Sequence, residues 1–167
     1  MYTGVGSRKT PTNVLDLMID IAYYLRICLK LTLRSGGAIG ADRAFEKGAG
    51  NLKEIYTIKE ATEEGRRIAS MFHPAWNKCS EFAKDLHGRN SFQVLGKDLK
   101  TPSKFLICWT PDGCISHSTR TYITGGTGTA ISIADAYNIP IHNLKNEETF
   151  NMWTKYVKES KEWVALN

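Results

Sequence analysis

The chain has 167 residues, of which 42% are hydrophobic and 23% are charged. This length fits one ordinary domain, and this composition excludes a disordered chain or a charged solvating tail. Arg26 and Lys30 interrupt the best apolar stretch, residues 14–33, and the N-terminus lacks the pattern of a secretory signal. We therefore expect a cytoplasmic protein with no membrane partner.

The net charge of +5 comes from 22 basic and 17 acidic residues spread along the chain. Such a balance favours anionic partners, but there is no basic block of the kind that marks a nucleic-acid-binding arm. The four cysteines and four histidines show no paired spacing typical of a metal site. We therefore predict free thiols, no metal site and no metal cofactor.

Strands and helices alternate along the predicted chain. In order, the pattern predicts strand 1–6, helix 11–31, strand 31–34, helix 40–48, strand 54–58, helices 61–71, 80–86 and 90–99, strand 104–109, helix 129–137, strand 139–141 and helix 148–163. This alternation predicts an α/β fold, in which a mostly parallel sheet is covered by helices on both faces as a three-layer sandwich. We expect one domain over residues 1–167.

Three glycine-rich loops each follow a predicted strand and precede a predicted helix. They are Gly4-Val5-Gly6-Ser7-Arg8, Ser35-Gly36-Gly37-Ala38-Ile39-Gly40-Ala41-Asp42 and Thr124-Gly125-Gly126-Thr127-Gly128-Thr129. In a parallel sheet such loops meet at the carboxyl edge, so segments distant in sequence converge on one crevice. Exposed amides at glycine turns and helix N-termini favour phosphate oxygens, which makes this edge the predicted site.

Side chains near these loops extend the predicted ligand site. Arg8 and Arg89 carry forked donors that match phosphate. Asp42 fits either a helix cap or a contact to ribose hydroxyls, and Asn90 fits either a base contact or a loop support. An aromatic side chain such as Trp109, Trp76 or Tyr122 would stack on a base or complete the core, and Trp109 has the clearest position at the edge. The predicted ligand-binding residues are Gly6, Ser7, Arg8, Ser35, Gly36, Gly37, Asp42, Arg89, Asn90, Trp109, Gly125, Gly126, Thr127, Gly128 and Thr129.

These motifs together resemble the Rossmann-like superfamily that includes the DNA-processing protein A (Smf) proteins, the LOG phosphoribohydrolases and the SLOG nucleotide-sensor domains. The similar segments are Tyr2–Arg8, Leu33–Asp42, His87–Asn90 and Gly126–Thr129, in the same order over about residues 1–143. The resemblance implies a single Rossmann-like domain that binds a nucleotide or nucleotide-derived ligand and needs no other cofactor. Compact stand-alone relatives occur in phages.

Three functions are compatible with this resemblance. The leading hypothesis is a non-catalytic SLOG-type sensor or sponge for a small phosphorylated nucleotide, which in a phage would counter a host defence signal. The second is a LOG-like hydrolase of an N-glycosidic bond. Here Thr124 replaces the proline of the phosphoribohydrolase motif and residues 131–133 stand where its glutamate is expected, so Glu60 or Asp135 would have to supply the acid. The third is a single-strand DNA binder.

The resemblance also implies self-association, because related domains pair through helical faces. The last predicted helix offers an apolar stripe for this purpose. Its residues are Phe150, Trp153, Tyr156, Val157 and Trp163. The same stripe would serve equally well to pack on the chain's own sheet.

Overall fold

Five short parallel strands form the centre of the structure, a computed structural model that describes residues 1–166. The strands are β1 (Tyr2–Gly4), β2 (Leu33–Ser35), β3 (Lys53–Ile55), β4 (Leu106–Cys108) and β5 (Ile141–Asn143). The α-helices are α1 (Thr12–Ile27), α2 (Ala41–Ala49), α3 (Glu63–Ser70), α4 (Glu81–Leu95), α5 (Thr127–Ala136) and α6 (Glu147–Leu166). Single 3₁₀ turns at Ile58–Glu60, Trp76–Lys78 and Tyr122–Thr124 lie in the connections.

The strand order across the sheet is β3-β2-β1-β4-β5, and every neighbouring pair is parallel. The chain therefore builds outward from β1 to β3 on one side and then continues with β4 on the other side of β1. The connections after β1 and β4 diverge at this point. In open α/β sheets such a divergence creates a crevice at the carboxyl ends of the strands.

Two apolar cores on opposite faces of the sheet make the single-domain, three-layer α/β sandwich that the sequence predicts. Helices α1, α2 and α6 pack on one face, and α3, α4 and α5 pack on the other. Along β4, Ile107 belongs to the first core, whereas Leu106 and Cys108 belong to the second. Because both faces are covered, this strand is an uninterrupted apolar run, which is why the sequence predicts it well.

Helix α4 corrects the prediction of two helices at 80–86 and 90–99, because residues Glu81–Leu95 form one continuous helix. Gly88 lies in its middle, where a Cβ would lie 3.1 Å from the Arg66 side chain and 3.2 Å from the Arg66 backbone nitrogen. Glycine therefore serves close packing against α3 here and does not break the helix. The helix ends at Gly96, whose φ of +82° stops it before residue 99.

The other predicted elements are present, with ends shifted by one to four residues. Strand β5 is predicted at 139–141, and the structure places it at Ile141–Asn143. Asn138 has a φ of +54° and turns the chain after α5, and Ile139 is buried in the second core. Hydrogen bonding to β4 begins only at Pro140, whose carbonyl accepts from the Leu106 amide at 2.8 Å.

Helix α6 uses much of its apolar stripe within the chain. Trp153 and Val157 are 6% and 5% exposed in the first core, whereas Tyr156 is 45% exposed. The Trp163 side chain lies outside the described part, so self-association stays a prediction. Neither α6 nor any other helix within residues 1–166 has the length and apolar character needed to cross a bilayer.

Gly48 on α2 lies against α1 without space for a side chain. A Cβ at this position would overlap the carbonyl oxygen of Ile19 and lie 2.8 Å from the Cβ of Ala22. We expect Gly48→Ala to lower the free energy of unfolding by about 2–3 kcal/mol, because the α1 backbone would have to move. Urea unfolding beside Gly126→Ala, whose Cβ would meet nothing within 4 Å, checks this expectation. A loss as small as that of the control would contradict it.

Candidate functional site

A cleft of about 620 Å³ opens at the carboxyl edge of the sheet, where the connections after β1 and β4 diverge. Its walls come from the loop after β1, the start of α2, one face of α4 and the segment that leads into α5. Cavities that hold small organic ligands typically measure about 300–1,000 Å³. The cleft is therefore large enough for a ligand of nucleotide size.

Segments that are distant in sequence meet in this cleft. The predicted site residues that line it are Gly6, Ser7, Arg8, Asp42, Arg89, Asn90, Gly125, Gly126 and Thr127. The first and third glycine-rich loops therefore face the same cavity. This placement follows from the topology, because all strand-to-helix connections of a parallel sheet leave from one edge.

Only part of the second glycine-rich loop reaches the cavity: Ala38 and Asp42 line it, whereas Ser35, Gly36 and Gly37 do not. The hydroxyl of Ser35 donates a 2.6 Å hydrogen bond to the Gly4 carbonyl. The Gly36 carbonyl accepts a 2.6 Å hydrogen bond from the guanidinium of Arg89. This loop therefore supports the cavity wall and positions Arg89, which differs from the direct phosphate contacts predicted for it.

Trp109, Gly128 and Thr129 also lie outside the cavity lining. Trp109 is 7% exposed in the first core, because the side-chain alternation of β4 continues through residue 109 and directs it into that core. Thr129 is fully buried, with its hydroxyl 2.9 Å from Nδ1 of His87. A Cβ on Gly128 would overlap the Arg120 side chain. These three residues therefore lie behind the residues that line the cleft.

Asn90 connects two walls of the cleft. Its side-chain nitrogen donates a 3.1 Å hydrogen bond to the carbonyl of Gly126, and the residue is 8% exposed. This bond fixes the loop before α5 against α4. Of the two roles considered for Asn90, the geometry favours the support of a neighbouring loop.

Asp42 is the buried acid of the site, with 4% of its surface exposed. Its carboxylate accepts a hydrogen bond from the backbone amide of Ala38 at 3.3 Å and lies close to the amides of Gly6 and Gly36. Burial raises its pKa to about 6, although the Arg89 cation and the three amides act in the opposite direction. Amides of the first two loops are therefore directed at this carboxylate. This arrangement favours the capping role considered for Asp42.

The raised pKa of Asp42 makes stability depend on pH in a defined direction. Its contribution to stability is present below its ordinary pKa of 3.8 and is lost as the pH rises through about 6. From pH 4 to 7 we expect the wild type to lose up to about 3 kcal/mol of stability relative to Asp42→Asn, which cannot ionise. Urea unfolding of both proteins across this range measures the difference. A difference independent of pH, or one of opposite sign, would contradict this assignment.

Two buried donors lie at the floor of the cleft beside Asp42. Within the described residues, Nε of Arg89 and Nε2 of Gln93 have no hydrogen-bond partner. Both side chains line the cavity, and Gln93 is 1% exposed. Buried donors without a partner are costly, so native proteins normally satisfy them with protein, water or ligand atoms. Both atoms are buried beneath the cleft surface, so they are unsatisfied donors next to the cavity and not open contacts for a ligand.

The N-terminus of α5 contributes further donors. The helix begins at Thr127, its N-cap is Gly126, and no side chain caps it with a hydrogen bond. In the first turn the amides of Gly128 and Thr129 donate to the carbonyls of Gly125 and Gly126, at 3.1 Å and 3.3 Å, which leaves the amides of Gly126 and Thr127 without a partner among the described residues. The helix dipole gives this end a partial positive charge. A Cβ on Gly126 would meet nothing within 4 Å, so the space in front of these amides is open. This end of α5 can accept an anionic group.

Several lining residues lie outside the predicted ligand-binding set, namely Val5, Lys9, Ala38, Ala83, Leu86, His87, Gln93, Pro111, Tyr122, Ile123, Thr124 and Ala130. Most α4 members share one helix face, a spacing visible only once residues 81–95 are treated as a single helix. Tyr122, considered as a stacking side chain, is 93% exposed and replaces Trp109 as the aromatic residue of the cleft.

The two acids considered for N-glycosidic cleavage do not line the cleft. Glu60 caps a 3₁₀ turn, where its carboxylate accepts hydrogen bonds from the Thr57 amide at 2.6 Å and the Thr57 hydroxyl at 2.7 Å. Asp135 accepts a 2.8 Å hydrogen bond from the His117 amide. Among the lining residues, Asp42 is the carboxylic acid that remains.

Comparisons with protein-family models, with curated proteins and with solved structures gave no match for this chain.

Proposed function

We propose that the chain binds a small phosphorylated nucleotide, or a signal derived from one, in the cleft at the carboxyl edge of the sheet. The observation that carries this proposal is the uncapped start of α5: the amides of Gly126 and Thr127 have no partner among the described residues, and both residues line the cavity beside cationic side chains. Phosphate oxygens are acceptors that can satisfy several such donors at once.

The charge around the cleft supports an anionic ligand. Arg8 and Lys9 are exposed at its rim, and Arg89 lies at its floor. Asp42, the acid among the lining residues, is held by backbone amides and lowers the local positive charge only in its ionised form. A phosphate in this position would exchange its hydrating water for the fixed donors of the cations and the helix start.

Exposed apolar side chains at the mouth of the cleft favour a ligand with an aromatic part. Tyr122 is 93% exposed and Ile123 is 47% exposed, and both line the cavity. An aromatic ring that stacks on a nucleobase contributes about 1–3 kcal/mol and tolerates any base. The combination of phosphate donors inside and an aromatic ring outside fits a nucleotide better than an inorganic anion.

Binding without turnover is the form of this proposal that the placement of the acids supports. Cleavage of an N-glycosidic bond needs a carboxylic acid near the scissile bond. Glu60 and Asp135 make hydrogen bonds to residues outside the cleft. The carboxylate of Asp42 already faces backbone amides. We therefore propose a sensor or a sponge that holds its ligand intact.

Calorimetric titration with AMP, ADP-ribose, a cyclic dinucleotide, adenosine and a short single-stranded DNA tests the proposal. We expect at least one phosphorylated small molecule to bind, adenosine to bind at least tenfold more weakly, and chromatography of the mixture to show intact ligand. Released free base would replace the proposal with the hydrolase hypothesis. Preferential binding of the oligonucleotide with a steep salt dependence would replace it with the DNA-binding hypothesis.

A further inference from the structure

Three side chains with metal-binding atoms come together beside the cleft. His73 follows α3, Cys79 follows the 3₁₀ turn at Trp76–Lys78, and His87 lies on α4. One ligand atom from each of them lies within 4.8 Å of the other two. His87 also lines the cleft, so the cluster adjoins the cavity wall.

The separation of Cys79 from His73 is close to that found in a tetrahedral transition-metal site. The sulfur of Cys79 lies 3.7 Å and 3.9 Å from the two ring nitrogens of His73, and the ring centroids of His73 and His87 are 4.3 Å apart. In a tetrahedral zinc site, Zn–S bonds of about 2.3 Å and Zn–N bonds of about 2.0–2.1 Å place sulfur and nitrogen about 3.6 Å apart. Small side-chain adjustments therefore bring all three atoms onto one ion.

The surroundings orient one of these ligands. Nδ1 of His87 is 2.9 Å from the hydroxyl oxygen of Thr129, and the Arg120 guanidinium donates to the same oxygen at 3.5 Å. When Nδ1 donates its proton to Thr129, the lone pair of Nε2 is free for a metal ion. A hydrogen bond of this kind to the second ring nitrogen is the usual support of a metal-binding histidine.

Burial and positive neighbours act on the two histidines of the cluster. Burial, together with the neighbouring His73, Arg120 and Arg89, lowers the pKa of His87 to about 4. Burial and the positive charge of Arg120 also lower the pKa of His73. The same positive neighbours act against a dication, and the negative charge that Cys79 carries as a metal ligand would offset this repulsion.

We propose that His73, Cys79 and His87 form a binding site for a transition-metal ion of the zinc class, with a water molecule as the fourth ligand. Binding displaces one proton from the Cys79 thiol to solvent and forms one metal–sulfur and two metal–nitrogen bonds. This proposal replaces the expectation of no metal site that followed from residue spacing. It does not depend on nucleotide binding.

Titration of the purified chain with Co²⁺, followed by displacement with Zn²⁺, tests this site. We expect visible absorption of tetrahedral cobalt and a near-ultraviolet thiolate-to-cobalt charge-transfer band that Zn²⁺ abolishes. Cys79→Ser should remove the charge-transfer band and weaken Co²⁺ binding by more than about 100-fold, since even the loss of a supporting contact costs about 10- to 100-fold. Cys28→Ser, in the groove between α1 and α6, is the matched control and should retain the band.

His73→Ala provides a second test, because His73 does not line the cleft. We expect this variant to lose Co²⁺ affinity and the rise in Tm that Zn²⁺ gives the wild type, with each rise measured from the same protein's Tm in the presence of a chelator. The proposal is overturned if the wild type shows no thiolate-to-cobalt band, if Cys79→Ser retains it, or if His73→Ala binds Co²⁺ as tightly as the wild type.

Discussion

Arg89→Ala is expected to weaken the binding of a phosphorylated nucleotide such as AMP by about 10- to 100-fold, because hydrogen bonds to charged groups contribute about 1.5–3 kcal/mol. One guanidinium nitrogen of Arg89 already donates to the Gly36 carbonyl at 2.6 Å, so the side chain is held in place before a ligand arrives. Its Nε has no partner among the described residues. Calorimetric titration of wild type and variant measures the change.

Two further variants distinguish a direct contact of Arg89 with the ligand from the effects of losing a positive charge or of leaving Asp42 unpaired. Arg67→Ala removes the same charge from α3, where the Arg67 side chain is 69% exposed, and should bind the nucleotide within about twofold of wild type. Asp42→Asn/Arg89→Ala avoids an ionised acid that has lost its neighbouring cation. If this folded double variant binds as tightly as Arg67→Ala, Arg89 does not contact the ligand.

Gly126→Val is expected to reduce nucleotide affinity about 100-fold or more, because its side chain would fill the space in front of the α5 N-terminus and keep a phosphate from its amides. The backbone of Gly126 has a φ of −62° and a ψ of −28°, which valine can adopt. A Cβ there meets no other atom within 4 Å. The variant should therefore fold with a loss of stability below about 1 kcal/mol.

Gly126→Ala adds a smaller side chain at the same position and serves as an intermediate case. Its single methyl group should lower affinity less than valine does, and both variants should keep the wild-type unfolding midpoint within a few degrees. Calorimetric titration and thermal unfolding of the three proteins provide both quantities. Unchanged affinity in the folded valine variant would remove the start of α5 from the site.

The layered fold could be predicted from the sequence because its information is local. The apolar run at β4 reports burial on both faces of the sheet, and the helical spacing of α1 reports one buried helix face. The break predicted in α4 was wrong, because Gly88 allows close packing against Arg66 on another helix and does not end the helix. Such a contact between distant segments leaves no periodic trace in either segment.

The site could be predicted only in part for the same reason. Topology alone places Gly6 and Gly126 at one edge, and both line the cleft. Whether a glycine-rich loop offers its amides to a ligand depends on which other acceptor reaches them. At Gly36 that acceptor is Asp42, a relation that spacing does not reveal. The proximity of His73 to Cys79 and His87 likewise depends on how the segment before α4 folds back.

Backbone amide NMR of the labelled chain, titrated with AMP, ADP-ribose and inorganic phosphate, tests the proposed binding site most directly. We predict that AMP or ADP-ribose causes its largest shifts at Gly125, Gly126 and Thr127, with smaller shifts along the lining face of α4, and that phosphate shifts the same amides only at higher concentration. An absence of shifts with all three compounds, or largest shifts in the groove between α1 and α6, would contradict nucleotide binding at this cleft.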